Sequence, residues 1–238
     1  MNIAVFVEEI ARGTLRDPLQ HIRPRTVRIC TVCNFKGFFL SAGHRQEARC
    51  PNCASKERDR IMALHMTNAG IDVRGKKILH FSAERPFFRQ WRRMEGYVAG
   101  DIKKSAVANA IVDVTNIQFP DNHFDLIICN HVLEHVPNDR KGVTELFRVL
   151  KPGCTAYLSV PQFDKYETWE PPPGMPKAEV EKICGWDHVR LYGLDFPERL
   201  AAAGFRASKM EYTKEEAIAH RLNSGGVDNV YVAVKPDS

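Results

Sequence analysis

The chain has no run of about 18 apolar residues, so a transmembrane helix is not expected. Its opening, MNIAVFVEEIARG, has no basic stretch before a short apolar run and meets acids at once. That is a poor secretory signal, and the expected setting is cytoplasmic. Charge of one sign is also scarce: the net charge of +5 over 238 residues is mild. Basic clusters such as HIRPRTVR and FFRQWRRM suit a solvated face, with nucleic acid as the alternative. A disulfide framework is disfavoured, because the seven cysteines are odd in number and follow no secretion signal. Glycine is missing where it would matter most. The stretch ILHFSAERPFFRQW reads as a strand running into a helix, yet it has none of the glycines that usually make a nucleotide-binding turn.

Four of the cysteines carry a pattern. Cys30, Cys33, Cys50 and Cys53 form C-x2-C-x16-C-x2-C, two knuckles that each aim a pair of thiolates at one centre. Together they make a tetrahedral sulfur site suited to Zn2+, and four protein ligands leave no open position, so the expected metal is structural. Such a ribbon is too small to bury a core of its own, and metal binding supplies much of its folding free energy. Cys129, Cys154 and Cys184 stand apart from this set.

The rest of the chain alternates strand and helix. ERDRIMALHMTNAG has helical spacing and stops at glycine. Then follow the strand KILHF, the helix-like ERPFFRQWRRME, and the β-rich runs YVAGDI, AIVDV and FDLIICN. DRKGVTELFRVL is amphipathic and ends at KPG; CTAYLSV is a buried strand, and DFPERLAAAG, FRASKMEY and NVYVAVK close the series. This rhythm predicts an α/β fold, a mostly parallel sheet with helices on both faces. Ligands in such sheets sit beyond the carboxyl ends of the strands. The residues placed there are Ser82 to Glu84, Asp101, Asp113, Asn130 to His135, and those from Pro161 onward. Asp101 closes a strand about twenty residues after KILHF, where a carboxylate can accept hydrogen bonds from ribose hydroxyls.

Downstream of Asp113 the chain reads DVTNIQFPDNHFDLIICNHVLEHV and then ELFRVLKPGCTAYLSVP. These runs resemble the class I S-adenosylmethionine-dependent methyltransferases, in particular the type 11-like subgroup with D-x-x-x-L-P-F-x-D-x-x-F-D-x-V-x-x-x-x-V-L-E-H-V and E-x-x-R-V-L-K-P-G-G. The resemblance runs from about Lys77 to Lys235. HFSAE and DHVRLYG also resemble a narrower bacterial group that begins with a zinc ribbon and carries H-F-x-P-E and D-H-V-R-x-Y-G. The family implies a Rossmann-like seven-stranded methyltransferase sheet behind a small N-terminal zinc-ribbon module. Residues 1–56 would be the N-terminal segment and ribbon, and 57–238 the methyltransferase domain, with 160–190 as a lid insertion. The resemblance also implies S-adenosyl-L-methionine as cofactor, held by Phe81, Ser82, Glu84, Asp101, Asp113, Val114, Asn130 and His131. Asp101 would take the ribose hydroxyls and Asp113 the adenine amino group. Asn116 and Ile117 would flank the adenine, and Asn130 would lie near the methionine moiety. Where the family writes G-x-G-x-G, this chain has Ser82, Ala83 and Glu84. The cofactor is a sulfonium cation without phosphate, so a carboxylate at Glu84 can answer its charge.

Methyl transfer from a sulfonium needs positioning and removal of a proton from the nucleophile. NHVLEHV offers His131, Glu134 and His135 for that work, with capping and packing of a short helix as the alternative role. WDHVRLYG offers His188 as base and Arg190 as an anion or hydroxyl clamp, against a buried histidine beside a capping Asp187. Tyr166, Glu167 and Trp169, in the proline-rich stretch between, would face substrate from a lid. The expected acceptor is a hydroxyl or amine of a polar small molecule, such as a sugar or secondary metabolite. RNA gripped by the ribbon is the alternative, though the ribbon has few aromatics to stack on bases. A non-catalytic scaffold is the third reading.

Overall fold

The computed structural model describes residues 25–43, 45–185, 187–222 and 229–237. The opening MNIAVFVEEIARG, the HIRP half of the first basic cluster and Trp186 lie outside those residues. In chain order the strands are β1 (Arg28–Ile29), β2 (Lys36–Gly37), β3 (Leu40–Ala42), β4 (Arg45–Arg49), β5 (Ile78–Phe81), β6 (Tyr97–Asp101), β7 (Ala110–Ile111), β8 (Phe124–Asn130), β9 (Leu150–Ser159), β10 (Arg206–Lys209) and β11 (Val230–Val234). The helices are α1 (Glu57–Asn68), α2 (Arg85–Trp91), α3 (Asp139–Val149), α4 (Lys177–Cys184), α5 (Phe196–Ala201) and α6 (Lys214–His220).

These elements divide into two compact units, and the division differs from a cut at residue 56. Of the described residues, those up to Ile71 group with Glu84–Phe87 and with 211–222; the remainder forms the second unit. The reason for α1 joining the ribbon is Arg60, a fully buried guanidinium. It donates to Ser55 O at 2.7 Å, Ala48 O at 3.0 Å, His220 O at 2.8 Å and Arg221 O at 2.7 Å, and lies over the Phe39 ring. One side chain thus stitches ribbon, α1 and the end of α6, and four carbonyl acceptors offset much of the cost of burying its charge. Helix α6 was not expected from the sequence, although Thr213 and Glu216 form a reciprocal capping box at its start.

The second unit is the predicted seven-stranded sheet, with order β10-β11-β9-β8-β5-β6-β7. Strands β5 to β9 pair in parallel and β11 runs antiparallel between β9 and β10. Every residue of β5 and nearly all of β8 is buried, as expected of central parallel strands covered on both faces. His80, inside β5, meets this burial by bonding its Nδ1 to the Tyr97 hydroxyl at 3.0 Å. Gly100 in β6 has a packing reason: a Cβ there would approach Val112 Cβ to 3.0 Å. The stretch 160–190 contains helix α4 and bridges back to 191–192 at Trp169 and Gln162, so it carries structure of its own.

Candidate cofactor pocket and cysteine cluster

The two cysteine knuckles are near copies of each other. Asn34 N donates to Cys30 O at 2.8 Å and Ala54 N to Cys50 O at 2.9 Å. Asn34 and Ala54, each just past the second cysteine, both turn through the left-handed region with φ of +57° and +67°. The four sulfurs converge within 4.8 Å of one another. Cys30 Sγ lies 3.6 Å from Cys53 Sγ, and Cys33 Sγ lies 3.7 Å from Cys50 Sγ. Hydrogen bonds from Cys50 and Cys53 hold the Cys30 thiol far below its ordinary value. The same contact with Cys30 pushes Cys50 up to about 12 and Cys53 upward as well. Thiolates this close cannot all ionise without a shared cation, and the S4 donor set fits zinc.

In the sheet unit, a cavity of about 450 Å³ opens at the carboxyl ends of β5, β6 and β8 and beside the segment after β7. That volume is within the range of small-ligand sites, about 300–1,000 Å³. Its wall includes Phe81, Ser82, Asp101, Asp113, Val114, His131 and His135. Seven of the residues named from the sequence are therefore brought to one hollow. Ser82 and His131, the first residues past β5 and β8, hold φ of +44° and +53°. The peptide of Ser82 is fixed by Ser82 N donating to Gly100 O at 2.9 Å. Asp113 Oδ1 accepts from Thr115 N and Oγ1, both at 2.8 Å, which fixes its rotamer. The loop after Asp113 is held from below by α3. Ile117 N donates to Glu145 Oε2 at 2.8 Å, and Arg148 donates to Ile117 O and Phe119 O at 2.8 and 2.9 Å. The three-residue spacing of Glu145 and Arg148 in ELFRVL also lets the two side chains pair with each other at 2.8 Å.

Other named residues are placed elsewhere. Glu84 belongs to the ribbon unit, where its carboxylate faces Arg58 at 3.6 Å, so a cation partner is already present there. Asn130 is buried and accepts from Ser159 Oγ at 3.0 Å, off the cavity wall. Ile117 is buried in the main core. Trp169 N bonds to Leu191 O, and the Tyr166 hydroxyl donates to Glu198, so neither forms part of the wall.

Arg190 is corrected from clamp to scaffold. It is 4% exposed, and its donors go to Leu133 O at 3.0 Å, Val136 O at 2.6 Å, Pro137 O at 2.8 Å and Glu170 at 3.2 Å. A guanidinium so committed has little left for a ligand. Its effect is to tie the two histidine motifs together. Val189 N donates to Glu134 O at 2.9 Å, His135 Nδ1 bonds to Asp187 O at 2.8 Å, and the His135 and His188 rings meet edge-on with centroids 4.8 Å apart. Tyr192 and Gly193 complete the joint. The Tyr192 hydroxyl donates to Asp139 at 2.7 Å, and a Cβ on Gly193 would fall within 2.6 Å of the Glu167 backbone. NHVLEHV and DHVRLYG are thus two halves of one structure, a pairing that sequence spacing alone did not show.

Residues 82–158 match the profile of a family described as "Methyltransferase domain". Among curated proteins, phosphoethanolamine N-methyltransferase 2 of Caenorhabditis elegans is 30% identical over 73 residues, 28% of this chain and 17% of that protein. The ubiquinone/menaquinone biosynthesis C-methyltransferase of Cupriavidus necator is 28% identical over 121 residues, 50% of this chain and 46% of that protein. The chain spans less than half the length of either relative. A solved structure of Burkholderia thailandensis 1,6-didemethyltoxoflavin-N1-methyltransferase, with its substrate and S-adenosylhomocysteine bound, aligns with a TM-score of 0.51 at 16% identity. The alignment covers 76% of this chain and 79% of that one, and at this identity it speaks for the fold. The strand order, the cavity at the strand ends and the profile matched by residues 82–158 agree on a Rossmann-like methyltransferase fold for the sheet unit, and a zinc-ribbon-like cysteine cluster precedes it in the chain.

Proposed function

We propose that the protein transfers a methyl group from S-adenosylmethionine to a hydroxyl or amine of a polar small molecule, such as a sugar unit or secondary metabolite. The observation that carries this reading is the cavity wall, where Asp101 and Asp113 share one hollow with Ser82, His131 and His135. S-Adenosylmethionine, when bound, supplies a methyl group on a sulfonium sulfur. Asp101 stands where a carboxylate accepts from ribose hydroxyls, and Asp113 where one accepts from the adenine amino group. The nucleophile loses a proton as its bond to carbon forms, and the histidines at the cavity edge are the groups suited to that exchange near neutral pH. The curated relatives named above act, by their names, on phosphoethanolamine and on quinones, which favours a small acceptor over RNA.

The proposal includes one structural zinc ion on Cys30, Cys33, Cys50 and Cys53. Titration calorimetry with S-adenosylmethionine and its demethylated product tests the cofactor reading; no heat with either ligand would refute it. Labelled methyl transfer into a cell extract, followed by mass spectrometry, identifies the acceptor class. Metal analysis should give about one tightly held zinc per chain, lost in Cys30→Ser. Zinc-free protein with an intact ribbon would refute the metal assignment.

A further inference from the structure

We propose that Glu134, His135 and His188 hold a second divalent cation, a first-row transition metal ion, whose open positions bind the hydroxyl of the methyl acceptor. This deepens the proposed function and rests on it for the identity of the neighbouring methyl donor.

The first observation is the carboxylate. Glu134 is 1% exposed, and neither of its side-chain oxygens has a hydrogen-bond partner among the described residues. The nearby His131 Nδ1 stands 3.4 Å from Oε1. A buried carboxylate that forms no hydrogen bond is costly unless a cation meets it.

The second observation is the tautomeric state of the two imidazoles. His135 Nδ1 lies 2.8 Å from Asp187 O, and His188 Nδ1 lies 3.0 Å from Cys184 O. A carbonyl oxygen only accepts, so both Nδ1 atoms carry hydrogen, and in the neutral rings Nε2 is the nitrogen with a lone pair. Fixing Nδ1–H on a backbone carbonyl is the outer-shell arrangement found around metal-bound histidines. One ligand atom from each of Glu134, His135 and His188 lies within 4.8 Å of the other two. Two imidazoles and a buried carboxylate therefore converge on one point.

The third observation is position and rigidity. His135 and Asp187 also line the cavity assigned to the cofactor. Arg190 pins the carbonyls of Leu133, Val136 and Pro137, so the short turn bearing Glu134 and His135 is preorganised. Two imidazoles and one carboxylate suit transition metals and leave positions open. With the cation in place His135 serves as a ligand and not as the base, and an acceptor hydroxyl bound there loses its proton to solvent more readily. Its oxygen then forms the bond to the methyl carbon while the carbon–sulfur bond breaks and its electron pair stays on sulfur.

The test uses the zinc-loaded protein, freed of excess metal by gel filtration and titrated with Mn2+ and with Co2+ by calorimetry, with Mn2+ paramagnetic resonance in parallel. One saturable site beyond the cysteine-bound zinc is expected. Glu134→Gln and His188→Ala should each weaken it by at least about 10–100-fold. Both variants should keep their circular dichroism and their affinity for S-adenosylhomocysteine within about twofold. If Glu134→Gln does not fold, His188→Ala decides, because that side chain is only half-buried. No saturable Mn2+ or Co2+ binding, or equal affinity in both variants, overturns the proposal. A metal site in a protein that does not bind S-adenosylmethionine supports the cation and refutes the cofactor reading. Cofactor binding without any such cation does the reverse.

Discussion

Replacing Arg190 by methionine separates a scaffold from a substrate clamp. The methionine side chain fills much of the same volume but donates no hydrogen bonds. Three charge-assisted bonds vanish, those to Leu133 O, Val136 O and Pro137 O. The acids near Arg190 are not left without a cation: Arg199 remains 3.0 Å from Asp139 and 2.9 Å from Glu170. The loss is thus mainly that of buried carbonyls deprived of donors, about 1–3 kcal/mol each, reduced at the exposed Pro137 where water can enter. A total of about 3–5 kcal/mol is expected, comparable with breaking a buried ion pair from one side. Urea unfolding of the zinc-loaded protein, followed by tryptophan fluorescence, measures it. Arg190→Lys should recover only part, because an ammonium cannot span three carbonyls set around a planar fork. A loss under about 1 kcal/mol in the methionine variant would refute the scaffold reading. Full stability with abolished turnover would return Arg190 to the acceptor.

Three further outcomes follow from single residues. Asp101→Ala should weaken S-adenosylmethionine by roughly 1.5–3 kcal/mol per lost ribose hydrogen bond, read by calorimetry, and unchanged affinity would move the ribose elsewhere. Ser82→Gly should stabilise the fold by up to about 1–2 kcal/mol, since φ of +44° is strained for any residue with a Cβ; a loss in urea unfolding would mean that the serine hydroxyl outweighs the strain. Asp59 is buried beside Glu84, and burial first, then that negative charge, pushes its carboxyl from 3.8 up to about 6. Its folded pKa is therefore above its unfolded one: below about pH 4 both states are protonated, and as pH rises to about 6 the unfolded state alone ionises, so stability falls by up to about 3 kcal/mol. Asp59→Asn keeps an acceptor for Lys56 N, bonded at 2.9 Å in the native protein, and should flatten that fall across pH 4–7 in urea melts.

Much of the sheet was readable because its signals are redundant. FDLIICN is an apolar run of strand length and folds as β8 with the same ends. The C-x2-C pairs were equally legible, since a knuckle is a local turn and needs no tertiary information. The residues at strand ends were also found, because a parallel sheet fixes where its carboxyl edge lies. What is not legible in the sequence is a partner many positions away. Glu84 sits where a family pattern expects a cofactor contact, but its charge is answered by Arg58, 26 positions earlier. Arg190 reads as a clamp beside His188, but the three carbonyls that occupy it lie more than 50 residues upstream. Helix α6 was missed although TKEE is a capping-box signature, because the segment is short and buries no residue.

The glycine-poor turn after β5 shows how a motif can change its letters and keep its geometry. The backbone at Ser82 takes the left-handed conformation that a glycine would adopt freely, and the adjacent peptide is locked onto Gly100 of β6. His131 does the same at the end of β8, the neighbouring parallel strand. Two strained residues thus stand at adjacent strand ends on the wall of one cavity, and strain of this kind clusters at ligand sites in general. Glycine would supply the turn without strain but without an oxygen or an imidazole.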